Sequence, residues 1–216
     1  MKRAYPLILA CLALLVACGP GMERQPPALE QQLRTQLLES CAHGLVLEKT
    51  VRYKTATQDS SETIRWNYRP DTAQGGCRLV YDTDGQALAA GDGASSPHYL
   101  TDELHYLTDY LYASPAFRSY FRVDSSEQRV VATLLPAHAG RTELKAQRLE
   151  YSTQGTVRSI QSHIYRSNAL FVADVNLNVR FQPDGRLAGY MLSFRSQTQG
   201  KAQPTYIETT ARVLYP

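Results

Sequence analysis

The most suggestively spaced ionisable residues are His98, Asp102, His105 and Asp109, at i, i+4, i+7 and i+11. On a helix they share one stripe, and two imidazoles with two carboxylates could hold Zn²⁺ or another divalent cation. The stripe lies opposite Leu100, Leu104, Leu107 and Leu111, so its first reading is the wet face of an amphipathic helix, and no metal is assigned to it. His98 also stands at the helix start, where the backbone dipole disfavours a cation. Other chemistry is harder to find. The chain has no Gly-x-Ser-x-Gly elbow, no His-Glu-x-x-His, no glycine-rich phosphate loop and no Cys-x-x-Cys. Asp82 and Asp84 straddle a turn, Ser61, Ser125 and Ser126 lack a base at a recognisable spacing, and His43, His138 and His163 are isolated. The chain therefore reads as a non-enzyme, with no catalytic residue and no cofactor. Fourteen tyrosines, with Tyr99, Tyr106, Tyr110, Tyr112 and Tyr120 close together, could line the mouth of a lipid or glycan cleft, or could pack a helix on a sheet.

Length and charge bound the rest. The 216 residues, 43% of them apolar, suffice for one domain with a sizeable core and exclude wholesale disorder. Lys and Arg number 23 against 20 Asp and Glu; without Lys2 and Arg3 the balance is 21 against 20. A nearly neutral chain gives no electrostatic reason to expect nucleic acid.

Residues 1–17 carry Lys2 and Arg3, then an apolar run from Leu7 to Val16. That run is too short for a bilayer of ~30 Å and reads as a signal peptide. It ends in Leu15-Val16-Ala17-Cys18-Gly19, which resembles the lipobox of bacterial lipoproteins. The resemblance implies cleavage before Cys18, acylation of its thiol and new amine, and an anchor that holds the chain to a membrane. Gly19, rather than Asp, at the next position is similar to cargo bound for the outer membrane, facing the periplasm. Residues 18–27 then form the anchor and a short tether, and residues 28–216 one α+β domain. With Cys11 in the leader and Cys18 lipidated, Cys41 and Cys77 remain, about 36 residues apart. In an oxidising compartment two such thiols pair; the alternative is two separate buried thiols.

The elements that must position these residues follow from periodicity. Ala28 to Ala42 predicts a helix, with Leu29, Leu33, Leu37 and Cys41 on one face and Gln31, Arg34, Gln36 and Glu39 opposite. The period then falls to two, predicting strands at Leu45–Tyr53, Glu62–Arg69 and Cys77–Tyr81, with an Asp84-Gly85 turn before Ala87-Leu88-Ala89. Ser96-Pro97 opens a second helix that runs through Leu111, and Ser114-Pro115 a short helical segment with Phe117, Tyr120 and Phe121. Strands follow at 128–135, 145–151, 157–165, 173–181, 187–194 and 206–214, with turns at Gln154-Gly155 and Pro183-Asp184-Gly185.

Ile64-Arg65-Trp66-Asn67-Tyr68-Arg69-Pro70-Asp71, then Leu79-Val80-Tyr81-Asp82-Thr83-Asp84-Gly85-Gln86, resembles the front half of LolA, the periplasmic lipoprotein carrier. Val130-Val131-Ala132-Thr133-Leu134-Leu135-Pro136 and the paired strands of Leu144–Ile164 around Gly155 resemble later parts of that family, so the likeness spans roughly Ala28 to Phe194. It implies an α+β fold: a strongly curved antiparallel β-sheet, an incomplete barrel, enclosing two or three helices. It also implies an apolar sheet–helix cleft for a lipid or acyl-bearing ligand, lined here by Leu100, Leu104, Leu107, Leu111 and Trp66, with Arg69 as a lid latch. The predicted anchor makes the chain resemble the membrane-bound acceptor LolB more than the soluble carrier. The expected function is to bind or transfer such a ligand at the envelope. The alternative is a structural or assembly lipoprotein that docks an envelope protein and has no ligand cavity. The carrier needs an empty apolar cavity, and the docking module a filled one together with an exposed apolar patch.

Overall fold

The computed structural model describes residues 29–71, 76–81, 98–167, 171–198 and 204–216. The leader, Cys18, the tether, the Asp84-Gly85 turn, Ala87–Ala89 and the Ser96-Pro97 start signal lie outside the described residues.

Helix α1 (Leu29–Ser40) forms where the leucine period placed it. It ends at Gly44, which takes φ +81° and donates its N–H to the Cys41 carbonyl; a left-handed stop suits the residue without a Cβ. Ten strands follow the period-two runs. They are β1 (Leu45–Lys54), β2 (Asp59–Asp71), β3 (Gly76–Tyr81), β4 (Phe121–Ser126), β5 (Arg129–Leu134), β6 (Leu144–Tyr151), β7 (Val157–Ser167), β8 (Phe171–Phe181), β9 (Leu187–Thr198) and β10 (Thr205–Leu214). All pair antiparallel in one sheet of order β3-β2-β1-β10-β9-β8-β7-β6-β5-β4.

Three expectations are corrected here. The strongly curved, incomplete barrel enclosing helices does not form: the sheet is large, flat and open, with β3 and β4 at opposite edges. Curling a sheet takes bulges or glycine kinks repeated along its strands. Among the described residues the ladders shift register at only four places: near Asn67, Leu144, Glu150 and Arg180. The second helix is also far shorter than its leucine period suggested. It is two four-residue turns, α2 (Leu100–Glu103) and α3 (His105–Thr108), broken at Leu104. Between the leucines stand Thr, Asp, His and Tyr, poor helix formers, with Glu103 the one good helix former among them, so packing rather than propensity holds the segment. The short helical segment after Pro115 is a single 3-10 turn at Arg118–Tyr120, and Phe121 opens β4 instead.

The helices pack on one face of the sheet. Leu29, Leu33 and Leu37 of α1, Leu100, Leu104, Leu107 and Leu111 of the second segment, and sheet residues such as Leu47, Leu149, Ile160 and Val179 form one continuous buried cluster. A smaller cluster around Tyr110, Phe121, Leu144, Ile164 and Val175 continues it toward β4.

Cys41, just past α1, is disulfide-bonded to Cys77 in β3, with 5.8 Å between their Cα atoms. The bond ties the first helix to an edge strand and closes a loop spanning 36 positions, for which chain entropy gives about 3–4 kcal/mol. A Cys41→Ser/Cys77→Ser variant should therefore lose about 3–4 kcal/mol in urea unfolding; a loss below about 1 kcal/mol would show that packing alone seats α1.

Candidate functional site

The four leucines expected to line a ligand cleft are buried, and Leu100 also borders a small cleft of about 180 Å³ with Leu37, Leu38 and Tyr99. Leu100, Leu104, Leu107 and Leu111 are 1%, 1%, 0% and 2% exposed, each buried in the core between helix and sheet. Trp66 is half-buried against the same core. Arg69 is exposed, paired in register with Arg78 at the β2–β3 edge, and makes no hydrogen bond to a helix carbonyl among the described residues.

Beside Trp66 lies a constellation that the sequence reading did not single out. Lys49 occupies the inward phase of β1, after Leu45 and Leu47, and is 9% exposed. Register puts it in one row with Ala211 of β10 and Tyr190 of β9. Glu103, the last residue of α2, sits over this row: its carboxylate accepts a hydrogen bond from Lys49 Nζ at 2.9 Å and another from the Tyr190 hydroxyl. Ala211, between the two, has no bulk to keep the carboxylate out. Lys49 Nζ also lies 3.7 Å from the centre of the Trp66 ring, a cation–π contact. His98 meets Trp66 edge-on, at 5.5 Å between ring centres, and its Nε2 stands 3.8 Å from Glu103. Burial pushes the Tyr190 phenol upward, and the Glu103 charge and hydrogen bond push it further the same way. The Tyr68 phenol is also raised, first by burial and then by the charge of Glu103; its hydroxyl has no partner among the described residues.

The signal for this cluster was present as a lysine in phase with buried leucines. Gln36 shows the opposite error. Read as part of the polar face of α1, it is 4% exposed. Its side-chain amide donates to the carbonyls of Val157 and Gly185, each at 3.0 Å, and its oxygen accepts from the Val157 N–H. Ser40 accepts from the Leu187 N–H at 2.7 Å. On the sheet, Gln147 donates to the Tyr110 carbonyl and to Ser162, and accepts from the Tyr112 N–H. Each buried polar side chain thus seats a short segment by satisfying backbone groups that would otherwise be orphaned.

The predicted stripe does not converge on a cation site. Asp102 accepts a hydrogen bond from the Tyr99 N–H at 2.7 Å, His98 lies 4.0 Å from Asp102, and Asp109 accepts from Thr108. Among the described residues, no three His, Cys, Asp or Glu side chains are grouped closely enough to hold a metal ion.

The tyrosine-rich region does converge. Tyr106, Tyr110 and Phe117 form a stack, with 6.1 and 6.3 Å between successive ring centres. The Tyr110 hydroxyl donates to Glu143 at 2.5 Å; Arg166 donates to both, to Glu143 at 2.8 Å and to the Tyr110 oxygen at 2.7 Å. Burial first, then the bond to Glu143, pushes the Tyr110 phenol up to about 12. Burial would raise the Glu143 carboxyl, but hydrogen bonds from Tyr110 and Arg166, with the Arg166 charge, hold it below the usual glutamate value.

No protein-family model matches the chain, and no curated protein matches it. Among solved structures it is similar to that of an S-type phycobiliprotein lyase, CPES, from Guillardia theta, at 10% identity over 88% of this chain and 99% of that one. The TM-score is 0.28, too low to support an argument about fold or activity.

The Lys49–Glu103 pair should behave as a buried ion pair. Lys49→Met alone, which strands the Glu103 carboxylate, should cost about 3 kcal/mol or more in chemical unfolding. Adding Glu103→Gln, which keeps an acceptor for Tyr190, should restore at least half of that loss. Additive losses in the double variant would show that the two residues act independently.

Proposed function

We propose that this chain is a lipid-anchored protein of a bacterial envelope, held through Cys18 on the periplasmic side of the outer membrane, that works by docking a protein partner rather than by carrying an acyl chain. The observation that carries this reading is the complete burial of Leu100, Leu104, Leu107 and Leu111 against the sheet. Those four side chains are buried in the chain's own core, which supports a filled interior, and the cleft that Leu100 borders, about 180 Å³, is small for an acyl chain.

The sheet edges indicate where a partner would dock. At the β3 edge, Tyr99 bridges to Arg78, and the Leu79 N–H is taken by the His98 carbonyl. At the other edge, β4 pairs only with β5 among the described residues, and all its residues after Phe121 are exposed. An open edge of this kind accepts an extended segment of another protein as an added strand. Its side chains, Arg122, Val123 and Asp124, give mixed charge around one exposed apolar residue.

The test is a Cys18→Ser variant secreted into a bacterial periplasm, weighed by native mass spectrometry and titrated with a dansylated fatty acid. The docking reading expects the apo mass and no saturable fluorescence change. A co-purifying lipid mass, lost on mild denaturation and accompanied by saturable binding, would return the chain to the carrier reading.

A further inference from the structure

A wide cleft opens beside the stacked aromatic rings, not beneath the leucines. It measures about 620 Å³, within the ~300–1,000 Å³ of small-molecule sites. Tyr110, Phe117 and Tyr165, the last 38% exposed, are among the residues that line it. The charged groups of the lining balance: Asp109 and Glu143 against Arg141 and Lys145. Lys145 is held in place by the carbonyls of Ala139 and Thr142, at 2.7 and 2.8 Å, with its ammonium 5.8 Å from the centre of the Tyr165 ring. Glu143 is fixed by Tyr110 and Arg166. Asp109 and Arg141 are exposed.

This combination narrows the ligand chemistry by elimination. An anion would meet Asp109 and Glu143, a cation Arg141 and Lys145, and a zwitterion would have to compete with the Tyr110 and Arg166 bonds that hold Glu143 and the two carbonyls that hold Lys145. An acyl chain would strip water from all four without replacing a hydrogen bond. A neutral polyhydroxylated ligand suits the exposed groups: Asp109 accepts its O–H donors, Arg141 donates to its oxygens, and the exposed Tyr165 ring packs against its C–H face.

We propose that this cleft is a binding site for a neutral saccharide, with Tyr165 as the stacking platform and Asp109 and Arg141 as its hydrogen-bonding rim. The site does not depend on the docking reading, since it lies on residues other than β4. Its affinity is that of a shallow, water-exposed site, so binding is expected weak and local.

The test is saturation-transfer-difference NMR on the mature, lipidated chain in detergent micelles. The probes are chitotriose, maltotriose and cellotriose, with trialanine as a peptide control. The expected result is transfer to ring protons of at least one trisaccharide and none to trialanine. Tyr165→Ala and Asp109→Asn should each weaken binding at least tenfold. Both residues are at the surface, so an unchanged thermal midpoint would separate loss of binding from loss of fold. Three outcomes would overturn the proposal: no transfer to any trisaccharide, transfer to trialanine alone, or saccharide transfer that survives both substitutions unchanged.

Discussion

A lysine on the buried phase of a strand sets a condition the rest of the fold must meet. Lys49 follows Leu45 and Leu47 into the core, where an unpaired ammonium would cost several kcal/mol. Glu103 answers it, and in doing so fixes where α2 sits on the sheet. Tyr190 and Trp66 complete the cluster from β9 and β2. Four separate parts of the chain therefore meet at one charge pair. Leu100 and Leu104, flanking Glu103, are seated by the same contact.

The same logic recurs on a smaller scale. The helical segments facing the sheet are too short to be stable by themselves, and each is tied down by a buried polar group. Gln36 and Ser40 hold α1 over the β6–β7 and β8–β9 turns. Gln147 holds the chain after α3, and the Cys41–Cys77 bond holds the end of α1. A wide apolar sheet face is in this way covered by short pieces, whose leucines are buried against it.

Much of this was legible from periodicity. The alternation of Leu45 with Val46 and Glu48, and the later runs, located nine of the ten strands, because period two reports the buried face directly. It missed β4, whose Phe121 and Val123 are too few to establish a period and follow a helix-start signal. It overextended the second helix, because a leucine every three or four residues fits two separate turns as well as one helix. Curvature was not legible at all. Alternation fixes which face is buried, but whether a sheet curls depends on bulges and edge partners that residue types do not announce. The site followed the same pattern. The leucines were found and given the right face, but whether they line a space or fill it depends on how closely the segments approach. Gln36 was assigned to solvent because glutamine usually is, and only its three backbone partners place it inside.

The claim on which the functional reading rests is that the helix-facing interior is closed by the chain's own side chains. A methyl NOESY spectrum of the protein labelled at Leu, Ile and Val measures that most directly. The packed interior predicts cross-peaks from Leu104 and Leu107 to sheet residues of the same cluster, such as Leu47, Leu149 and Val179. If those cross-peaks are missing, and the same leucine methyls instead show contacts to a bound acyl chain or to water, the interior is a cavity and the account fails.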